Sequence, residues 1–276
     1  MHRMVCALRR VGAAALGVTV MFATASGLAG CAGSAAPPQL TQPVVLLGEV
    51  HDNAAQHALR LQAFRALLAR GARPVLALEQ IDRERQGALD ALLARQPRPN
   101  AGEVVRAVGG AGWDWAFYTP FVALALEYRL PIVAANVSRD DARRVMNEGL
   151  AATGFDAAVP DALLAAQAED IQAGHCGTLD AAAARRMALA QIARDQYMAQ
   201  VLERYAPHGV VLLAGDGHVR TDIGAPHWLD AATRARSESI GFVEAGDDDA
   251  PYDRRIVTAA QPRPDPCAAM RARPGA

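Results

Sequence analysis

The chain has 276 residues, 51% hydrophobic and 21% charged, with a formal net charge of −1. That much apolar surface excludes a disordered chain, and the near-neutral balance excludes nucleic-acid binding by broad phosphate neutralisation. All 28 basic residues are arginine, which rules out Schiff-base chemistry, pyridoxal-phosphate attachment and a P-loop lysine.

The N-terminus carries Arg3, Arg9 and Arg10, then an apolar stretch from Val11 to Ala23, then Leu28-Ala29-Gly30-Cys31. A basic region, an apolar region and small residues before a cut site describe a secretory signal peptide over residues 1–30. The apolar stretch falls short of the roughly 20 residues that a membrane span needs. Leu-Ala-Gly-Cys resembles a bacterial lipobox, which makes Cys31 the expected site of lipid (palmitate) attachment. Ala32 in place of an aspartate favours, by analogy, the outer membrane and its periplasmic face. Residues 1–30 hold three arginines and no acid, so the remainder carries −4. Residues 31–43 read as a flexible tether.

From Val44 onward, short apolar runs alternate with helical patterns. The runs are Val44–Leu47, Pro74–Leu78, Pro131–Ala135 and Gly209–Ala214, with Ser239–Glu244 and Arg255–Ala259 completing the set. Uninterrupted runs of this length describe strands buried on both faces. Asp52 or Asn53 caps a helix reaching Arg70, a second helix covers 82–94, and Asp140 caps a third through Gly149. The alanine-rich stretch from Pro160 to Tyr205 divides into two helices at Gly174-His175-Cys176-Gly177. The expected fold is α/β: a mostly parallel central sheet with helices on both faces plus a helical insertion.

Ligands in such sheets bind beyond the carboxyl ends of the strands. Those ends hold Glu49 and His51, Glu79, Asn136, then Asp216 and His218. Glutamate with histidine serves metal binding or general acid–base chemistry; a purely structural role, with carboxylates accepting turn N–H groups and histidines capping helices, is the competing reading. His57 shares a helical stripe with Leu61, Phe64 and Leu68, which suits a packed histidine. Asp195 interrupts the apolar stripe of Ile192, Ala199 and Leu202, so it needs a partner; Arg220 is a candidate. Five of fourteen aromatic residues fall between Trp113 and Phe121, either sealing the domain or forming an apolar wall for a flat ligand. After loss of residues 1–30, the remaining cysteines besides Cys31 are Cys176 and Cys267, which an oxidising compartment would join.

Several segments together resemble the ChaN family of haem-binding lipoproteins, within a Tiki-like superfamily. They are Val44–Asn53, Leu78-Glu79, Ala134-Ala135-Asn136, Gly174–Gly177, Ala193–Gln196 and Gly215–Arg220. The resemblance spans roughly 42–267; the haem-binding domain is taken as 44–267 and the tail as 268–276. It implies a role in haem or iron acquisition, with haem held at a homodimer interface through a tyrosine oxygen. Tyr118 and Tyr197 are the candidate ligands, His175 a hydrogen-bond donor, and Asn136 a further cofactor-binding candidate. Similar proteins in the superfamily include metal-dependent peptidases and erythromycin esterases. The alternative reading is therefore a hydrolase in which Glu49, His51, Glu79 and His218 act as catalytic residues and as ligands of a divalent metal.

Overall fold

The computed structural model describes residues 36–268, apart from 97, 248, 249 and 266. The expected signal peptide and Cys31 lie outside the described residues, as does most of the expected tail. Among the described residues no helix is long and apolar enough to cross a membrane.

In chain order the elements are β1 (Val44–Glu49), α1 (Ala54–Ala69), β2 (Val75–Asp82), α2 (Gln86–Arg95), α3 (Ala101–Val108), α4 (Trp115–Glu127), β3 (Ile132–Asn136), α5 (Arg139–Glu148), α6 (Asp161–Gly174), α7 (Ala181–Tyr205), β4 (Val210–Gly215), α8 (Asp216–Val219), α9 (Ala231–Arg234), β5 (Ser237–Glu244) and β6 (Arg254–Thr258). The strands form one sheet in the order β3-β2-β4-β1-β5-β6. Every neighbouring pair is parallel. An all-parallel sheet must be covered on both sides. Successive strand residues point to opposite faces, so each run feeds two cores. Val45, Leu47, Leu76, Leu78, Val211 and Leu213 pack with Phe64 and Leu68 of α1 and Phe121 of α4. Val44, Leu46, Ala77, Val210 and Leu212 pack on the other face with Met198, Ala199 and Leu202 of α7. A third cluster, including Val145, Leu163 and Ile192, binds α5 and α6 to α7. That is the helical insertion.

The structure departs from the sequence expectations at several boundaries. The expected tether is packed at its end. Leu40 is buried in the first core, and its carbonyl accepts from Arg70 at 2.7 Å. The strand at Val75 continues to Asp82, which pairs with Asn136, so the helix expected from residue 82 starts as α2 at Gln86. Ser138, not Asp140, caps α5, its hydroxyl accepting from Asp141 N at 3.2 Å. The aromatic stretch is mostly helix, with Asp114 capping α4 by accepting from Ala116 N at 3.0 Å. Helix α3 was not anticipated, although its Asn100–Glu103 capping box is present and is a readable start signal.

Cys176 and Cys267 form a disulfide across a sequence separation of 91, with Cα atoms 5.5 Å apart. Cys176 holds a left-handed φ of 58°, uncommon for a residue with a side chain. The bond fastens the segment after β6, at one edge of the sheet, to the α6–α7 corner. That segment is tied down on the way: Asn53 donates to Ala259 O at 3.1 Å, and Gln261 N donates to Glu244 Oε1 at 3.1 Å.

Candidate functional site

The chain leaving β1 enters α1, which packs on the first core, whereas the chain leaving β4 enters α8, whose Val219 packs on the second. The two strands are neighbours. A crevice opens at such a reversal, beyond the strand ends. Glycine permits the close approach there. A Cβ on Gly48 would lie 2.3 Å from Val219 Cγ2, and one on Gly215 would lie 3.0 Å from His51 Cε1.

Glu49 ends β1 with a fully buried side chain. Arg60 of α1, also fully buried, forms an ion pair with its Oε2, and the Tyr118 hydroxyl of α4 donates to its Oε1. Burial lowers the Arg60 pKa to about 10, so the guanidinium stays charged at neutral pH. His57 Nε2 lies 2.9 Å from His51 O, and its Nδ1 lies 3.2 Å from Glu49 Oε2. Burial lowers the His57 pKa, so the ring carries a single proton near neutrality. A carbonyl can only accept, which assigns that proton to Nε2. The ring stacks on Phe117 with centroids 4.1 Å apart, as expected of a packed histidine.

His51 is the open member of this group. Its side chain is 49% exposed, and Nδ1 lies 3.1 Å from Glu49 Oε1. Donation from Nδ1 to the carboxylate leaves the Nε2 lone pair for a ligand. The ring meets the edge of Trp113 at 4.8 Å.

A second buried array lies beyond β2 and β4. The β2–β4 ladder ends at Leu78–Leu213. Beyond it, Gly215 N donates to the Glu79 carboxylate at 2.7 Å, so a side chain takes over from the ladder. Glu79 Oε1 lies 3.6 Å from His218 Nε2, and His218 Nδ1 lies 2.6 Å from Asp195 Oδ1. His218 is thus the partner that Asp195 requires; Arg220 instead pairs with Asp170 and Asp222. Burial raises the Asp195 pKa to about 6. Burial opposes the charge on His218, but Asp195 and Glu79 outweigh it and raise its pKa.

The expected four-residue metal centre is not met by this geometry. Among the described residues no three His, Cys, Asp or Glu side chains gather to hold a metal ion. Glu49 is consumed by Arg60 and Tyr118, and Glu79 by Gly215 and His218. Tyr118 is likewise withdrawn as an iron ligand, being 1% exposed with its hydroxyl on Glu49. Tyr197 is half-buried, with the Arg83 guanidinium 5.7 Å from its ring centroid. His175 lies at the α6–α7 corner, apart from the strand ends, with Nδ1 2.8 Å from Ile171 O. Asn136 is buried and donates to Asp82 at 3.3 Å.

Arg60 is the site residue that the sequence reading missed. A further cluster, also missed, closes the other side of the cleft. Arg263 forks between Asp52 and Glu244, with bonds of 2.5 to 2.7 Å. Asn53 adds a 2.7 Å bond to Glu244. Glu244 and Arg263, together with His51, Asp216 and Tyr252, line a cavity of about 470 Å³. Burial pushes the Asp216 carboxyl up to about 6.

The protein family described as haem-binding uptake, Tiki superfamily, ChaN, matches residues 39–229. The chain belongs to this family. The ChaN match ends before β5, so Glu244, Arg263 and Cys267 lie beyond it. No curated protein matches the chain. Among solved structures, one described as cofacial haem binding to ChaN of Campylobacter jejuni superposes with a TM-score of 0.66 at 23% identity, over 78% of this chain and 86% of that one. An erythromycin esterase mutant in its open conformation gives a TM-score of 0.43 at 14% identity, over 74% of this chain and 70% of that one. The first supports the ChaN fold.

The Arg263 clamp sets a pH dependence. Arg263 holds the Glu244 carboxyl down to about 2, from an ordinary value of 4.5. A depressed carboxyl contributes stability above its unfolded pKa and loses it as the pH falls through the folded one. The melting-temperature gap between wild type and Arg263→Ala should be widest above about pH 4.5 and should close toward pH 2. A gap constant across that range would contradict the clamp.

Proposed function

We propose that this protein binds haem for uptake at the cell envelope, anchored by lipid on Cys31 and facing the periplasm. The observation that carries the reading is the family match over residues 39–229. The lipobox-like Leu28–Cys31 supports the anchor, and the Cys176–Cys267 bond suits an oxidising compartment. The side chains at the strand ends fit the ligand in one specific respect. His51 offers a half-exposed ring oriented by a carboxylate, the arrangement found behind metal-bound histidines. When bound, haem supplies an iron that takes nitrogen or oxygen donors. His51, Tyr197 and His175 are the candidate donors on this chain, and a second copy would cover a macrocycle left open at the surface.

Hydrolysis is a second reading, favoured by the Asp195–His218–Glu79 array. A histidine oriented by a buried carboxylate and facing a second one can carry a proton in general acid–base catalysis.

Haemin titrated into the purified chain should give a saturable Soret shift, weakened in His51→Ala. A wild type with no saturable shift would overturn the haem reading. In cells the wild type should fractionate with membranes and Cys31→Ala should not; equal partitioning would overturn the anchor. For the second reading, a screen of ester and peptide substrates should find turnover that His218→Asn abolishes. Turnover at the buffer rate, or undiminished in the variant, would discard it.

A further inference from the structure

The cleft beside His51 is a poor seat for the carboxylates of a porphyrin. Its walls include Glu49, Asp216, Glu244 and Asp247, and its one arginine, Arg263, is already forked between two acids. Like charges brought together without partners are unfavourable.

A second hollow, of about 300 Å³, lies between α5 and α7. It presents Arg139, Arg143 and Arg194 around Met146 and Met187. The floor is apolar, with Ala142 and Ala190 buried. Among the described residues neither Arg139 nor Arg194 comes within salt-bridge distance of a carboxylate, although both lie near enough to Asp82 to favour its charged form; Arg194 bonds Gln191 at 3.1 Å. Arg143 pairs with Asp140, but both side chains are well exposed, and such pairs exchange at little cost. The hollow therefore offers guanidinium donors over an apolar bed. Guanidinium matches carboxylate in bidentate geometry, and thioethers make adaptable contacts with flat rings.

Arg139 and Trp113 lie between the hollow and the strand-end site. Arg139 reaches toward the loop before α4: a Cβ built on Gly112 would lie 3.9 Å from its Nη2. The next residue, Trp113, is the one whose ring meets His51. Arginines, a half-buried indole and an open imidazole thus follow one another along one rim of the sheet.

We infer that the α5–α7 hollow is the carboxylate-anchoring subsite for the porphyrin, with Arg139, Arg143 and Arg194 pairing its acidic side chains. A volume of about 300 Å³ is at the lower limit for small-molecule sites, so the hollow takes one edge of the macrocycle. This assignment rests on the haem reading above and adds the place and the chemistry of recognition.

The test titrates the full chain with haemin and with the dimethyl ester of the same iron porphyrin, which keeps the ring and iron but lacks both charges. Wild type should bind haemin more tightly than the ester by about tenfold or more, the scale of one charge-assisted hydrogen bond. The triple variant Arg139→Gln, Arg143→Gln, Arg194→Gln should lose that preference and bind both ligands like the ester. The ester arm uses wild type alone, so it decides even if the variant folds poorly. Saturable haemin binding with no preference over the ester would overturn the subsite and leave the haem reading standing. Absence of saturable binding to wild type would overturn both.

Discussion

The arrangement at the strand ends depends on one buried ion pair. Glu49 terminates the central strand β1 with no solvent contact, and Arg60 meets it from α1 with none either. Burying a carboxylate alone is costly enough that the group would give up its charge. With Arg60 in place the charge is retained, and its oxygens organise three more side chains. Tyr118 donates to one of them, His51 is oriented by one, and His57 lies against the other. The exposed imidazole of His51 is aimed by this buried charge.

The second array follows the same logic with a different currency of partners. Glu79 substitutes for the ladder at Gly215, and Asp195 fixes the ring of His218. Neither array gathers three ligands for a cation, because each acid is met by a donor from the protein itself. On the far side of the cleft, Arg263 holds the segment after β6 against the β1–α1 turn, and the Cys176–Cys267 bond ties that segment to the α6–α7 corner. Glu244, Arg263 and Cys267 sit beyond the part of the chain matched by the family, whereas their partners Asp52 and Cys176 lie within it.

Much of this was legible in sequence, for identifiable reasons. A strand buried on both faces needs an uninterrupted apolar run, so β1, β2, β3 and β4 stood out. Polar residues placed directly after those runs, such as Glu49 and His218, have few reasons to be there other than a site or a tight turn. The need of Asp195 for a partner was also visible, because a charge in an apolar stripe must be compensated. The identity of the partner was not. His218 lies 23 residues away, and only the sheet brings the two together. The partner of Tyr118 was hidden for the same reason. Its hydroxyl meets a carboxylate 69 residues distant, which no local pattern reveals. Arg60 shared its stripe with His57 and Phe64, so a signal existed. An arginine on a helix is ordinarily read as a solvated side chain, and that expectation concealed it.

A double-mutant cycle on Glu49 and Arg60, read by equilibrium unfolding, tests the organising role of the pair most directly. Glu49→Gln and Arg60→Met should each destabilise the fold by about 3–5 kcal/mol, since each leaves a buried charge unmatched. The double variant, which removes both charges, should cost far less than the sum of the two. Additive losses would contradict the account, because they would mean that the two charges are compensated independently of each other.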